Sequence, residues 1–209
     1  MVLHQRLRHA GGVSHRRHAA LDQSGTIAIL KGPHVIETPR LLLRRPRSSD
    51  AGAIFERYAG DPEVTKYVGW PVHRTLDDTR GFLMFSDGDW ARWPAGPYLV
   101  ESRDDGRLLG GTGLGFETMQ RASTGYVLAR DAWGLGFATE ALGAMVTLAR
   151  DLNVRRLYAI CHIDHRASAR VLEKCDFTCE GTLRQYVAFP NLGSGGVCDV
   201  LCYAKILGA

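Results

Sequence analysis

The chain has 209 residues, 45% hydrophobic and 23% charged, with a net charge of +4. Its length favours one globular domain that needs no covalent staples, and no stretch approaches the roughly 20 apolar residues of a membrane span. The charge argues against a nucleic-acid partner, because Arg6, Arg8, Arg16, Arg17 and Lys31 against Asp22 alone make the start basic and leave the body balanced at zero, whereas phosphate binding needs a positive surface.

Residues 1–32 are accordingly expected to be a basic, disordered extension, lacking both the apolar run of a secretory signal and amphipathic periodicity. Residues 33–209 form the expected domain. It opens with an extended strand over His34–Arg45, followed by a helix-start signal at Arg47-Ser48-Ser49-Asp50. That helix carries Ala53, Ile54 and Tyr58 inward and stops at Gly60-Asp61-Pro62; a short second helix runs to Tyr67. A third is predicted over Leu76–Phe85. Strands follow at Pro97–Ser102, Arg107–Phe116 and Thr124–Arg130, the first two joined by the turn Arg103-Asp104-Asp105-Gly106.

Phe137–Leu152 has the clearest helical period, with Ala138, Ala141, Leu142, Met145, Val146, Ala149 and Leu152 on one face. A strand at Arg155–His162, a helix at Ala167–Cys175 capped by Asp164, and strands near Leu183–Phe189 and Cys198–Ile206 complete the chain, with a Gly-rich loop at Pro190–Gly196. This order gives an α/β fold with a mixed sheet and helices packed on it. Cys161, Cys175, Cys179, Cys198 and Cys202 are an odd set without a Cys-x-x-Cys pair. They read as buried small apolar residues of a reducing compartment, the cytoplasm, and no metal is expected.

Chemistry concentrates where Thr124–Ala149 reads strand, glycine turn, helix. Gly134 and Gly136 let the backbone approach a ligand, and the following helix start offers free N–H groups and a positive dipole end, together a pyrophosphate site. On these residues alone a plain loop is an equal reading. The turn is neither a Walker loop, having no Gly-Lys-Ser/Thr, nor a dinucleotide fingerprint, since Thr139 holds the place of the third glycine.

Trp133-Gly134-Leu135-Gly136-Phe137-Ala138-Thr139-Glu140-Ala141 resembles the acetyl-CoA motif Gln/Arg-x-x-Gly-x-Gly/Ala of the GNAT N-acetyltransferases, with Asp131 in place of the leading Gln or Arg. Ile36–Arg44 is similar to the opening strand of the Rim-type branch, which acetylates ribosomal-protein N-termini. Asp164–Phe177 resembles the second cofactor segment, with His165 for Asn, Asp176 for Gly, and Ser168, Glu173, Lys174 and Phe177 retained. Glu180–Arg184 and Asp199-Val200 fit the terminal hairpin.

The resemblance implies one mostly antiparallel sheet with two splayed central strands, helices on both faces, and acetyl-CoA as co-substrate. It places the pantetheine arm against the backbone of Val127, Leu128 and Ala129, and the pyrophosphate on Arg130, Gly134, Leu135, Gly136, Phe137, Ala138 and Thr139, with His165 and Ser168 beside the cofactor. Ser168 is the expected group near the sulfur. Glu117 is a candidate base, Tyr126 a candidate beside the cofactor, and His162 a residue at the cleft edge. Trp70, Trp90, Trp93, Asp77 and Asp78, with the Pro190–Gly196 loop, would shape the acceptor pocket. The implied acceptor is a primary amine, either a protein N-terminus or a small molecule. A catalytically weak acyl-CoA-binding module is the alternative, and monomer and homodimer both stay open.

Overall fold

The computed structural model describes residues 20–21, 27–28, 30–193 and 196–208. The expected disordered extension therefore lies largely outside the described residues. Within it, β1 (Ala20–Leu21) and β2 (Ile27–Ala28) pair antiparallel. The body is tied down from Lys31 onward: Lys31 Nζ donates to the Trp90 and Trp93 carbonyls at 3.1 and 2.9 Å, and Gly32 N donates to Pro94 O at 2.8 Å.

The expected first strand is instead a hairpin of β3 (Val35–Glu37) and β4 (Leu41–Arg44). Pro39 has no N–H for a ladder, and Thr38 closes the turn by donating its N–H to Leu41 O at 2.9 Å while its Oγ1 accepts from Leu41 N at 3.0 Å. Next come a 3-10 turn at Ser48–Asp50, α1 (Ala51–Ile54) and a π-helical turn at Phe55–Ala59. Ala51, Ile54 and Tyr58, spaced by three and four, face inward, and Ala53, one position off that stripe, is exposed, contrary to the periodic reading. In α2 (Pro62–Thr65), Asp61 caps the start by accepting from Glu63 N at 2.9 Å. α3 (Leu76–Arg92) outruns its predicted end at Phe85. Its second half reads as polar in sequence, but the helix continues to bury Trp90, whose Nε1 donates to Pro97 O at 2.9 Å.

The remaining elements are β5 (Pro97–Ser102), β6 (Leu108–Thr118), β7 (Arg121–Leu128), α4 (Phe137–Asp151), β8 (Arg156–His162), α5 (Arg166–Lys174), β9 (Thr178–Ala188) and β10 (Val197–Ile206). Eight strands form one sheet in the order β3-β4-β5-β6-β7-β8-β10-β9. Every adjacent pair is antiparallel except β7–β8, which is parallel.

Alternate residues send their side chains to opposite faces. One face, with Leu41, Leu43, Val100 and Leu157, packs against Leu142, Met145 and Ala149 of α4 and Leu172 of α5. On the other, Leu99 and Leu108 pack against Ile54, Tyr58, Val64 and Leu83 of the N-terminal helices. Ile160 and Val200 meet Val187 and Phe189 in a smaller cluster. Of the cysteines only Cys161 is fully buried; Cys179 is exposed and the others are half-buried. The uniform burial expected of them fails; Cys179 is exposed because β9 is an edge strand with its face toward solvent. Among the described residues no helix is long and apolar enough to cross a membrane.

Candidate active site

The parallel pair β7–β8 is joined over only three positions, Arg121↔Arg156, Ala122↔Leu157 and Ser123↔Tyr158. Beyond them the strands part. β7 stays zipped to β6 as far as Leu128, and β8 to β10 as far as His162, so a gap opens between them toward their C-terminal ends.

Ala129 N donates to Leu109 O at 2.8 Å, and Gly125 O accepts from Thr112 Oγ1 on the same side. Backbone polar groups alternate sides along an antiparallel strand. Val127 and Ala129 therefore face β6, while Tyr126 and Leu128 face the gap. Of the three residues expected to bond a pantetheine, only Leu128 points the right way. Its carbonyl already accepts from Trp133 Nε1 at 2.7 Å, which leaves its N–H. Tyr126, expected there for its side chain, adds a backbone face.

At the mouth of the gap Gly134 and Gly136 take φ of 74° and 83°, a region costly for other residues. Gly136 is the residue before α4, and no side chain caps that helix. The N–H groups of Phe137, Ala138 and Thr139 consequently open onto the exposed turn Trp133–Gly136, at the positive end of a 15-residue helix. The turn is held from outside. Arg40 Nη1 donates to Leu135 O at 2.9 Å, its Nε to Glu140 Oε2 at 2.7 Å, and its guanidinium lies 4.6 Å above the Phe137 ring. Glu140 Oε1 also accepts from Arg40 N at 2.8 Å and from Thr38 Oγ1 at 2.6 Å. Burial works against the Glu140 charge, but the bonds from Thr38 and Arg40 outweigh it and hold the carboxyl below the usual range. The Thr38-Pro39-Arg40 turn is thus a clamp on the glycine loop, a role sequence reading did not assign because its partners lie about a hundred positions away.

Asp131 and Arg130 are both held in ion pairs. Asp131 takes Arg57 at 2.7 Å and Arg107 at 2.8 Å, and Arg130 Nε meets Asp61 at 2.6 Å. The Arg57 hydrogen bond lowers the Asp131 carboxyl. Arg130 thereby ties the loop to the start of α2.

Tyr126 and Ser168 are brought together. The Tyr126 Oη lies 3.1 Å from Ser168 Oγ and donates to Ser168 O at 3.2 Å. Ser168 is 1% exposed. Burial pushes the Tyr126 phenol well up and the Cys161 thiol up to about 11, so both keep their protons at neutral pH. His165 precedes α5 and stacks on Tyr67 at 4.7 Å; burial, with His162 adding to it, holds its imidazole down to about 4. His162 lies 5.1 Å from the Tyr67 ring and 5.2 Å from Phe189. Its Nδ1 accepts from Asp164 N at 3.1 Å. Asp164 makes no cap for α5.

Glu117 is not brought to this group. It sits at the joined end of β7–β8, bound by the Tyr158 hydroxyl and by Arg121 at 2.5 Å. Five positions along β6 separate it from Thr112, the partner of Tyr126, roughly 16 Å of strand.

A cavity of 300 Å³ opens on the face opposite α4, between α3 and the sheet, with Gly111 and Val127 as its floor and Trp70 and Phe82 among its walls. Asp78 and His73 stand at its rim. The other expected wall residues lie elsewhere. Trp90 is core, Trp93 stacks on Phe116 at 5.8 Å, and Asp77 reaches out to Arg80 at 2.6 Å. In the Pro190–Gly196 loop, residues 194 and 195 lie outside the described ones. Its Asn191 pins the segment carrying Tyr67 and Trp70: Nδ2 donates to Thr65 O at 2.7 Å and Trp70 O at 2.9 Å, and Oδ1 accepts from Val72 N at 2.8 Å. Among the described residues no group of three or more His, Cys, Asp or Glu could hold a metal ion.

Comparison with known proteins agrees with this architecture. The chain is 32% identical over 163 residues to the uncharacterized N-acetyltransferase YoaA of Bacillus subtilis (strain 168), covering 73% of this chain and 88% of that one. It superposes on a GNAT-family acetyltransferase from Bacillus anthracis with a TM-score of 0.72 at 26% identity, over 82% of this chain and 98% of that one. It also superposes on RimL, a ribosomal L7/L12 alpha-N-protein acetyltransferase solved with coenzyme A, with a TM-score of 0.73 at 25% identity, over 83% and 98%. The acetyltransferase (GNAT) domain family matches residues 40–178, two thirds of the sequence including the parted strands and the glycine loop, and the chain belongs to that family.

Proposed function

We propose that this GNAT acetyltransferase moves the acetyl group of acetyl-CoA to a primary amine, a small molecule or a protein N-terminus, with the pantetheine arm in the β7–β8 gap. The observation that carries the reading is the gap opening beside an uncapped helix N-terminus. Both halves suit the ligand: a strand edge for the pantetheine amides, and free N–H groups with a helix dipole for the pyrophosphate. The RimL complex with coenzyme A supports the choice.

In this reading the N–H groups of Phe137, Ala138 and Thr139 hold the pyrophosphate, and Leu128 N–H offers a donor along the gap. The neutral amine attacks the acetyl carbonyl, a C–N bond forms and the C–S bond breaks; the proton released from nitrogen passes to water, and the leaving sulfur takes a proton from a hydroxyl that water reprotonates. Ser168 is the donor. Tyr126 keeps its proton, and turning it from the Ser168 carbonyl to Ser168 Oγ frees the serine hydrogen to face the sulfur. Glu117 takes no part.

The first test is thermal unfolding with acetyl-CoA, with NADH and ATP as controls, followed by thiol release over an amine panel. A ligand at about 100 times its Kd adds about 2.7 kcal/mol, or roughly 5–10 °C for a domain of this size. A shift with acetyl-CoA alone and amine-dependent thiol release are expected. A shift without thiol release would leave a binding module, and no shift would remove the cofactor site.

A further inference from the structure

We infer that the acceptor carries an uncharged aromatic or bulky apolar group next to its amine, seated in the cavity between α3 and the sheet. This rests on the acetyl-transfer reading. Tyr58, Trp70, Phe82, Phe85, Tyr98 and Val127 line the space, and aromatic walls favour an aromatic guest. Val127 belongs to β7, the strand that also walls the gap, so a ring held there brings its amine to the reacting end.

Several of the polar groups around the cavity are already engaged. The Tyr98 hydroxyl donates to Pro33 O at 2.6 Å, Thr112 Oγ1 to Gly125 O at 2.7 Å, and His73 Nδ1 pairs with Thr79 Oγ1 at 2.9 Å. Burial lowers the His73 pKa, so this ring brings no charge at neutral pH. Asp78 is exposed at the rim, and its Oδ2 accepts from Arg74 N, Thr75 N and Thr75 Oγ1 at the start of α3. A second ammonium driven into this space would meet no buried carboxylate, and burying an unpaired charge is strongly disfavoured. Polyamines and polycationic sugars are therefore rejected, while short acceptors leave the space unfilled. At 300 Å³ the cavity lies at the small end of ligand sites. Gly81 of α3 borders it, and a Cβ there meets no atom within 4 Å, so a longer side chain has room to reach in.

The full chain, saturated with acetyl-CoA, is assayed by thiol release with 2-phenylethylamine, ethylamine and spermidine, and with peptides beginning in Phe or in Ser. The expected kcat/KM for 2-phenylethylamine exceeds that for ethylamine and spermidine by about 30-fold or more, the scale set by burying one ring. A peptide acceptor would show the same preference for Phe over Ser, whereas inactive peptides beside active free amines would assign a small-molecule acceptor. Gly81→Leu, which fills the space, is expected to raise KM for 2-phenylethylamine tenfold or more, with the acetyl-CoA melting shift retained as proof of folding. Ethylamine or spermidine equal to 2-phenylethylamine, or an unchanged KM in Gly81→Leu, would overturn the inference while leaving acetyl transfer standing. If no amine releases thiol and acetyl-CoA gives no shift, the transfer reading itself falls. Direct binding of 2-phenylethylamine, followed by its effect on melting, then decides for or against the cavity alone.

Discussion

The same substitution, glycine to alanine, is expected to act with opposite sign at two positions seven residues apart. Gly136 has φ 83° at the entrance of α4, where a Cβ lies 3.4 Å from Arg40 Nη2, an ordinary contact. The cost of Gly136→Ala is therefore conformational, about 1–2 kcal/mol for a left-handed alanine. At roughly 2–4 °C per kcal/mol for a domain of this length, Tm falls by about 2–8 °C. If the loop relaxes to negative φ instead, its N–H groups turn away and the same free energy is lost from acetyl-CoA binding, about a tenfold rise in Kd. Gly143 lies inside α4 with nothing within 4 Å of an added Cβ. Gly143→Ala gains helix propensity, about 1 kcal/mol, and should raise Tm by about 2–4 °C. The measurements are melting curves with and without acetyl-CoA, and calorimetric Kd. A Gly136→Ala protein within 1 °C and twofold of the parent in both would refute the assignment of a strained phosphate loop.

Ser168→Ala should lower kcat for thiol release by on the order of 10²-fold with acetyl-CoA affinity unchanged, the size of a lost proton donor; Tyr126→Phe should fall between it and the parent. His165 binds its proton in the unfolded chain at about 6.5 but in the fold only near 4, so its contribution to stability is complete above 6.5 and declines as pH falls toward 4. The slope is at most about 1.4 kcal/mol per pH unit, and His165→Asn should flatten it in urea unfolding at pH 7, 6 and 5. Asn191→Ala breaks three hydrogen bonds to the 65–72 segment, costing about 2–3 kcal/mol. Tm should fall by roughly 4–12 °C and acceptor KM should rise, and an unchanged acceptor KM would separate that segment from the acceptor site.

Local signals made much of the molecule legible. The period of Ala141, Leu142, Met145 and Ala149 located α4, the strand of Pro97–Ser102 was read to the residue, and Gly134 with Gly136 marked the loop. Where two local rules met, the reading slipped. Pro39 signalled a strand entry when it makes a hairpin turn, and the charged second half of α3 hid a helix held by Trp90. At the site, the pairing of Ser168 with Tyr126 depends on α5 lying over β7, the displacement of Glu117 on β6 register, and the Asn191 tether on contacts across more than a hundred positions.

What the sequence determined by itself is whatever neighbouring residues decide between them: periods, turns, caps and a glycine pair before a helix. What tertiary structure alone decided is how far β7 and β8 stay paired, three positions, the sides to which Val127 and Leu128 turn their backbone groups, and the apolar cavity under α3. These are properties of spaces between strands and helices, set by pairing partners distant in the chain, and no window of adjacent residues carries them.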